Sequence, residues 1–118
     1  MKHLKTGSQR GSFDVVTSTC LAQAAKMTLR AGAASDSHPS NEHPHSEQWL
    51  FVISGTGEAI VHDRSGKVRR TKLQPNSLLV IERGERHQIK NTGRRQLATL
   101  NIYVPPAYTG DGELRDDA

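Results

Sequence analysis

The segment Asn41–Gly55 reads NEHPHSEQWLFVISG and sets two histidines, His43 and His45, one residue apart just ahead of an oxygen donor. In extended chain, alternate side chains point to the same side, so these two imidazoles would share a face. The oxygen donor is Gln48 or Glu47, and an apolar run follows it directly. Far along the chain, His87 heads a second strand-like segment. Imidazoles delivered into one interior from two segments, with an oxygen ligand beside them, form an open nitrogen–oxygen metal site. Such a set suits one divalent ion of the Zn, Fe, Mn or Ni kind and leaves positions for a small molecule. His45 or Glu47, at the rim, would be the candidate general base. His38 lies in a polar loop and His3 and His62 read as surface residues.

These side chains need a scaffold, and the pattern of apolar residues supplies one. Apolar residues recur with period two over Phe13–Thr19, Ala24–Leu29, Trp49–Ser54, Glu58–His62, Val68–Leu73, Leu78–Ile81, His87–Asn91 and Leu97–Val104. These runs are short and rich in Val, Ile, Leu and Thr, which predicts strands. Cys20–Leu29 contains helix formers but has no cap, and its second half alternates, so it reads as a strand. Asp63–Lys67 (DRSGK) and Asn91–Arg95 (NTGRR) supply hairpin turns, with glycine where a positive φ is expected. Ala31–Glu47 reads as irregular. Many short antiparallel strands in a chain of 118 residues predict an all-β jelly-roll barrel. The expected organisation is one domain over 1–118, with a core of about 13–104 and a partly disordered C-terminal extension at 105–118.

Composition narrows the function. Hydrophobic residues make up 34% and charged residues 24%, a lean apolar supply that favours a thin-walled closed architecture. The net charge of +4 raises nucleic-acid binding, but Arg64, Lys67, Arg69, Arg70 and Lys72 gather at one hairpin without interleaved aromatic rings. Stacking platforms for single strands need such rings, so no nucleic-acid partner is expected. Cys20 is the only cysteine. No internal disulfide can form, and a reducing, cytoplasmic setting is the expectation. No run approaches the length of a signal peptide core or a membrane span, so no membrane partner is expected.

With these residues in view, the sequence resembles the cupin superfamily. Cupins carry a paired-His segment with an acid six residues before a glycine, and a second segment G-x5-P-x4-H-x3-N. Here six residues separate Gln48 from Gly55, so Gln48 stands at the acid's position. In the second segment Asn76, Glu82, His87 and Asn91 keep the spacing, with Asn76 for the usual Gly and Glu82 for the usual Pro. Pro75–Ser77 (PNS) stands where cupins often have PGD. The resemblance implies a double-stranded β-helix, or jelly-roll barrel, with a metal held by His43, Gln48 and His87. In that register the first histidine of the pair is replaced by Asn41. An alternative register adds His45, pairing it with His43 ahead of Gln48 or Glu47. The first is preferred because Gln48, Leu50 and Val52 then all face the barrel interior.

Two functions follow. One is a metal-dependent enzyme, an oxygenase, isomerase or lyase acting on a small anionic or polyhydroxy metabolite. The other is a non-catalytic cupin that captures a sugar or metabolite without metal. Either way the opposite face of the third strand carries Trp49, Phe51 and Ile53. An outward apolar face predicts cover by the chain's own N-terminal strand or by a partner in a homodimer.

Overall fold

The computed structural model describes residues 1–118. All eight alternating segments are strands: β1 (Phe13–Ser18), β2 (Gln23–Leu29), β3 (Glu47–Ser54), β4 (Gly57–His62), β5 (Val68–Leu73), β6 (Leu78–Ile81), β7 (Arg86–Asn91) and β8 (Leu97–Val104). The stretch that could have been helical is strand from Gln23 onward, after a turn closed by Thr19 N–H donating to the Ala22 carbonyl at 2.8 Å. Helix is confined to one 3₁₀ turn at Thr6–Ser8.

The strands form two antiparallel sheets, one ordered β1-β2-β8-β3-β6 and one ordered β5-β4-β7. This is the jelly-roll arrangement, in which two sheets share one interior. Inward positions alternate as the pleat requires: Leu50 and Val52 on β3, Ile89 on β7 and Leu97 on β8 are buried. With Leu29, Ala59 and Leu73 they make one apolar cluster at one end of the interior.

The Ala31–Glu47 stretch is less irregular than its composition suggests. Ala34 bridges Lys90 and Ser40 bridges His87, both antiparallel. Ser35 N–H donates to the Ile89 carbonyl at 2.8 Å, and Asn91 N–H to the Ala33 carbonyl at 2.9 Å. The loop thus borders β7 as a ragged fourth strand of the smaller sheet.

The C-terminal extension forms a small hairpin. Tyr108 bridges Leu114, and Thr109 N–H donates to the Glu113 carbonyl at 2.7 Å. The buried carboxamide of Gln23 anchors it. The Gln23 oxygen accepts from the amides of Ala107 (3.2 Å) and Tyr108 (3.0 Å), and its nitrogen donates to the Tyr108 carbonyl at 2.7 Å. A polar residue at the start of an apolar strand therefore satisfies backbone groups 85 residues away.

The turns differ in how they use glycine. Gly66 has φ 87°, as DRSGK predicts, with Asp63 Oδ1 accepting from the amides of Ser65 and Lys67. Gly93 does not adopt positive φ; a side chain there would meet Thr56 Oγ1 at 2.5 Å, so its constraint is steric. Asn76 takes φ 73°, the left-handed conformation that asparagine tolerates best among residues with a side chain. It thereby substitutes for the glycine of the PGD turn.

The outer face of the larger sheet stays apolar. Trp49 pairs with Ile102 and Val80 across the strands, and Phe51 with Leu100 and Leu78. Trp49 is 43% exposed and Leu78 56%. The N-terminal strand does not cover them, because β1 pairs with β2 at the far edge of the sheet.

Candidate functional site

At the other end of the interior the same strands turn polar. His43, at the end of the ragged strand, Gln48 on β3 and His87 on β7 are all buried. The imidazole centroids of His43 and His87 lie 5.1 Å apart, and His43 Nε2 lies 3.0 Å from Gln48 Oε1. Three residues from three separate segments therefore converge on one point.

The orientation of Gln48 is fixed from behind. Its Nε2 donates to Asn101 Oδ1 at 2.9 Å, and Asn101 Nδ2 donates to Thr99 Oγ1 at 3.0 Å and the Ala25 carbonyl at 3.4 Å. Because the Ala25 carbonyl can only accept, the Asn101 amide has one sensible orientation, and so does that of Gln48. The Gln48 oxygen faces the cavity.

His43 lies between two acceptors, the Ser46 carbonyl at 3.3 Å from Nδ1 and Gln48 Oε1 at 3.0 Å from Nε2. A neutral imidazole has one proton and satisfies one of them. A second proton would satisfy both, but burial lowers the His43 pKa, only partly offset by the hydrogen bonds to Ser46 and Gln48. A cation shared by Nε2 and Oε1 removes the conflict, leaving Nδ1–H for Ser46. Ligands at about 2.1 Å from one octahedral ion stand about 3.0 Å apart along an edge, which is the spacing found here. His87 repeats the pattern, with Nδ1 facing the Glu85 carbonyl at 3.4 Å. Burial first, and then the neighbouring His43, push its pKa down to about 4. Two neutral imidazoles with backbone-facing Nδ1 atoms are in the state that ligates metal through Nε2. The donor set fits a divalent ion.

The remaining expectations need correction. His45 is exposed and is not among the residues lining the cavity that His43, Gln48 and His87 share. Glu47 accepts a hydrogen bond from Trp49 Nε1 at 3.3 Å, which ties it to that side chain rather than to the cavity. Strand alternation explains this: with Gln48 inside, Glu47 and Trp49 point away. Neither His45 nor Glu47 is placed to act as the general base. The alternative register would need His45 beside His43, and His45 instead lies exposed in the loop before β3. Asn41 is turned to the backbone, its Oδ1 accepting from His43 N–H at 3.2 Å. His38 is exposed, as expected of a loop histidine.

Around these three residues lies a cavity of about 450 Å³. Tyr103 and Tyr108 form part of its wall, their rings 5.1 Å apart and edge to face. Burial raises both phenol pKa values, that of Tyr108 to about 12, so both keep their protons. Phe13, stacked on Tyr108 at 4.7 Å, continues the wall with Met27, Leu29 and Ile89. Asp36 and Glu42 complete the rim. Asn101, Tyr103 and Tyr108 went unremarked in the sequence. The signal for the first two was the second alternation of LATLNIYV, in which Thr99, Asn101 and Tyr103 share a face.

Gly55, the glycine ending the first motif, has φ 89°, and a side chain there would run into the Gln96 carbonyl. The turn it permits starts β4.

Comparison with known proteins agrees with this architecture. A family model described as Cupin domain matches residues 25–103. The Bacillus halodurans protein BH2720 superposes with a TM-score of 0.78 at 24% identity, over 94% of this chain and 82% of its own. KdgF from Halomonas sp. gives 0.65 at 21% identity, over 89% and 80%. Bacillus subtilis oxalate decarboxylase, described with Mn(II) centres, gives 0.67 at 25% identity, over 75% of this chain but 23% of the decarboxylase. No curated protein sequence matches.

Proposed function

The chain belongs to the cupin domain family, and from that premise we propose that it is a one-domain cupin holding one divalent metal ion through His43, Gln48 and His87. The observation that carries this reading is the paired acceptor conflict at His43, with each imidazole turning Nδ1 to a backbone carbonyl and leaving Nε2 inward. The Mn(II) centres of oxalate decarboxylase lend support from within the same fold. Bound there, the ion would act as a Lewis acid toward a small metabolite, since three neutral ligands leave its charge uncompensated. The chain's own part is to orient: Asn101 holds the Gln48 oxygen inward, and Tyr103 and Tyr108 offer protonated hydroxyls to a substrate.

The test is metal content and affinity by elemental analysis and calorimetry. His87→Ala should abolish stoichiometric binding, and His45→Ala should leave it intact. Loss of metal in His45→Ala with retention in Gln48→Ala would reverse the assignment.

A second reading, a metal-free module that captures a metabolite, is favoured by Asn41, which stands at the first histidine's position and is spent on a backbone contact. Turnover that disappears with chelator decides for the enzyme.

The apolar outer face supports a homodimer. Trp49, Phe51, Ile53, Leu78 and Val80 remain between 37% and 56% exposed. Full burial of such side chains stabilises by roughly 1.5–3 kcal/mol each. Light scattering of the wild type should give twice the monomer mass, and Trp49→Lys should give the monomer. No helix is long and apolar enough to cross a membrane, and we place the protein in the cytoplasm.

A further inference from the structure

Four rings run in file from the N-terminal strand to a candidate metal ligand. The centroids of Phe13 and Tyr108 lie 4.7 Å apart, those of Tyr108 and Tyr103 5.1 Å, and those of Tyr103 and His43 5.1 Å. Successive planes are tilted by 55°, 72° and 75°, so no pair lies parallel. All four rings line the cavity, as does Met27. The placement of Tyr108 is not left to packing alone. The Gln23 carboxamide, 2% exposed, accepts from the Ala107 and Tyr108 amides and donates to the Tyr108 carbonyl and, at 2.9 Å, to Ser18 Oγ. All four hydrogen-bonding positions of that amide are used, and three of them end on Ala107 and Tyr108. Ser46 Oγ ties the start of the same segment, donating to the Pro105 carbonyl at 2.7 Å. Phe13, Gln23 and Tyr108 lie outside residues 25–103, the stretch that matches the cupin family, so that kinship assigns them no role.

A wall of tilted rings is a selective surface. Ring edges carry partial positive charge and ring faces partial negative charge, so a planar aromatic body gains contacts there that a saturated body of the same bulk does not. A thioether in the same wall adds to that preference. The file also ends on His43, so a body lying along it carries its head toward His43, Gln48 and His87. We propose that Phe13 and Tyr108 form an aromatic subsite of this cavity, with Tyr108 as its specificity-determining residue and Gln23 as the residue that positions it, for a ligand made of an aromatic ring and a small oxygen-bearing head. The proposal names the ligand class of the same cavity that the proposed function uses, and rests on that cavity being the ligand site.

Three probes with one head and different bodies test it: benzohydroxamic, cyclohexanecarbohydroxamic and acetohydroxamic acid, titrated calorimetrically into the full chain with and without Mn(II). The free head is uncharged, so the carboxylates of Asp36 and Glu42 in the cavity wall do not repel it. The phenyl compound should bind about three- to tenfold tighter than the cyclohexyl compound, the factor that aromatic pairing adds at equal bulk, and the methyl compound should bind weakest. Tyr108→Phe should keep the preference for phenyl over cyclohexyl, while Tyr108→Leu and Gln23→Leu should each bring that ratio toward one. A ratio of two ligands on one variant is not moved by a general loss of stability. Cyclohexyl binding as tightly as phenyl, absence of binding by all three, or a ratio untouched in folded Tyr108→Leu would overturn the proposal, and a ratio untouched in folded Gln23→Leu would remove Gln23 from it. The ratio on the unaltered protein decides even where a variant fails to fold. Mn(II) separates the two readings. A gain common to all three probes on adding the ion reports the metal, and its absence counts against the metal centre while the ratio stands or falls alone.

Discussion

The interior of this barrel has two ends, and the same strands build both. β3 passes from Gln48 to Leu50 and Val52, β7 from His87 to Ile89, and β8 from Tyr103 and Asn101 through Thr99 to Leu97. Two residues along a strand, roughly 7 Å, separate a potential ligand from a packing residue. At the packed end, side chains pack against one another, and only Leu29 and Ile89 of the cluster reach the cavity wall. At the polar end they surround a cavity, and His43, Gln48 and His87 are each held by a named partner. The comparison teaches a division of labour. One end holds the sheets together, so the other can keep desolvated imidazoles that contribute nothing to folding in themselves.

The sharpest way to break this comparison is at the packed end. Leu50 is fully buried in the apolar cluster, and Leu50→Ala should cost about 3–4 kcal/mol by urea unfolding. Ligand-site substitutions should cost much less stability in metal-free protein, and a His87→Ala variant as destabilised as Leu50→Ala would erase the division.

The second test is acid. His87 falls from the ordinary 6.5 to about 4, so between those values the unfolded chain binds a proton that the folded protein does not. Stability is therefore unaffected above about pH 6.5, declines as pH falls through the window, and levels off near pH 4. At about 1.4 kcal/mol per unit, the His87 contribution is about 3 kcal/mol, and His43 adds to it in the same direction. Urea unfolding of the metal-free protein across this range should show the decline, and His87→Gln should flatten it. A flat wild-type profile would mean that the polar end is hydrated rather than dry.

A smaller effect is expected at Asn101, which touches no ligand site directly. Asn101→Leu frees the Gln48 amide to rotate, and metal affinity should fall about 10- to 100-fold, the range typical of residues that orient ligands. Unchanged affinity would show that Gln48 is held by other means. Smallest of all, His45→Ala and Glu47→Ala should alter stability by no more than about 0.5 kcal/mol and metal affinity not at all.

The strands were legible because alternation is strong wherever one face is dry, and no boundary moved by more than two residues. The inward position of Gln48 was legible for the same reason, since placing Leu50 and Val52 inside places Gln48 inside, whereas His43 and His87 were set beside it by the spacing shared with the cupins. What could not be read was the polar lining supplied by chain with no period. Asp36, Ser40 and Glu42 come from a stretch whose position is set by backbone pairing to β7, and such pairing leaves no mark on side-chain pattern. β8 misleads in another way. Its more apolar row, Leu100, Ile102 and Val104, faces outward, while Thr99, Asn101 and Tyr103 face in. Hydrophobicity alone would have turned that strand over. The C-terminal hairpin was missed because its anchor, Gln23, lies at the opposite end of the chain.

Strand pairing also sets a timetable. β2 pairs only with β1 and β8, with Gln23 opposite Tyr103 and Leu29 opposite Leu97. β3 through β7 can find neighbours close in sequence, as β4 does with β5 and β3 with β6. During synthesis, the β1–β2 hairpin therefore waits, with Ala25, Met27 and Leu29 uncovered, until the last strand emerges. Closing so long a loop is slow, and unpaired strand edges invite association while it lasts. The outward Lys26, between Ala24 and Thr28 on that waiting strand, is the kind of charge that guards an exposed strand against wrong partners. A native bond from its Nζ to the Thr6 carbonyl, at 3.0 Å, forms once the chain has settled.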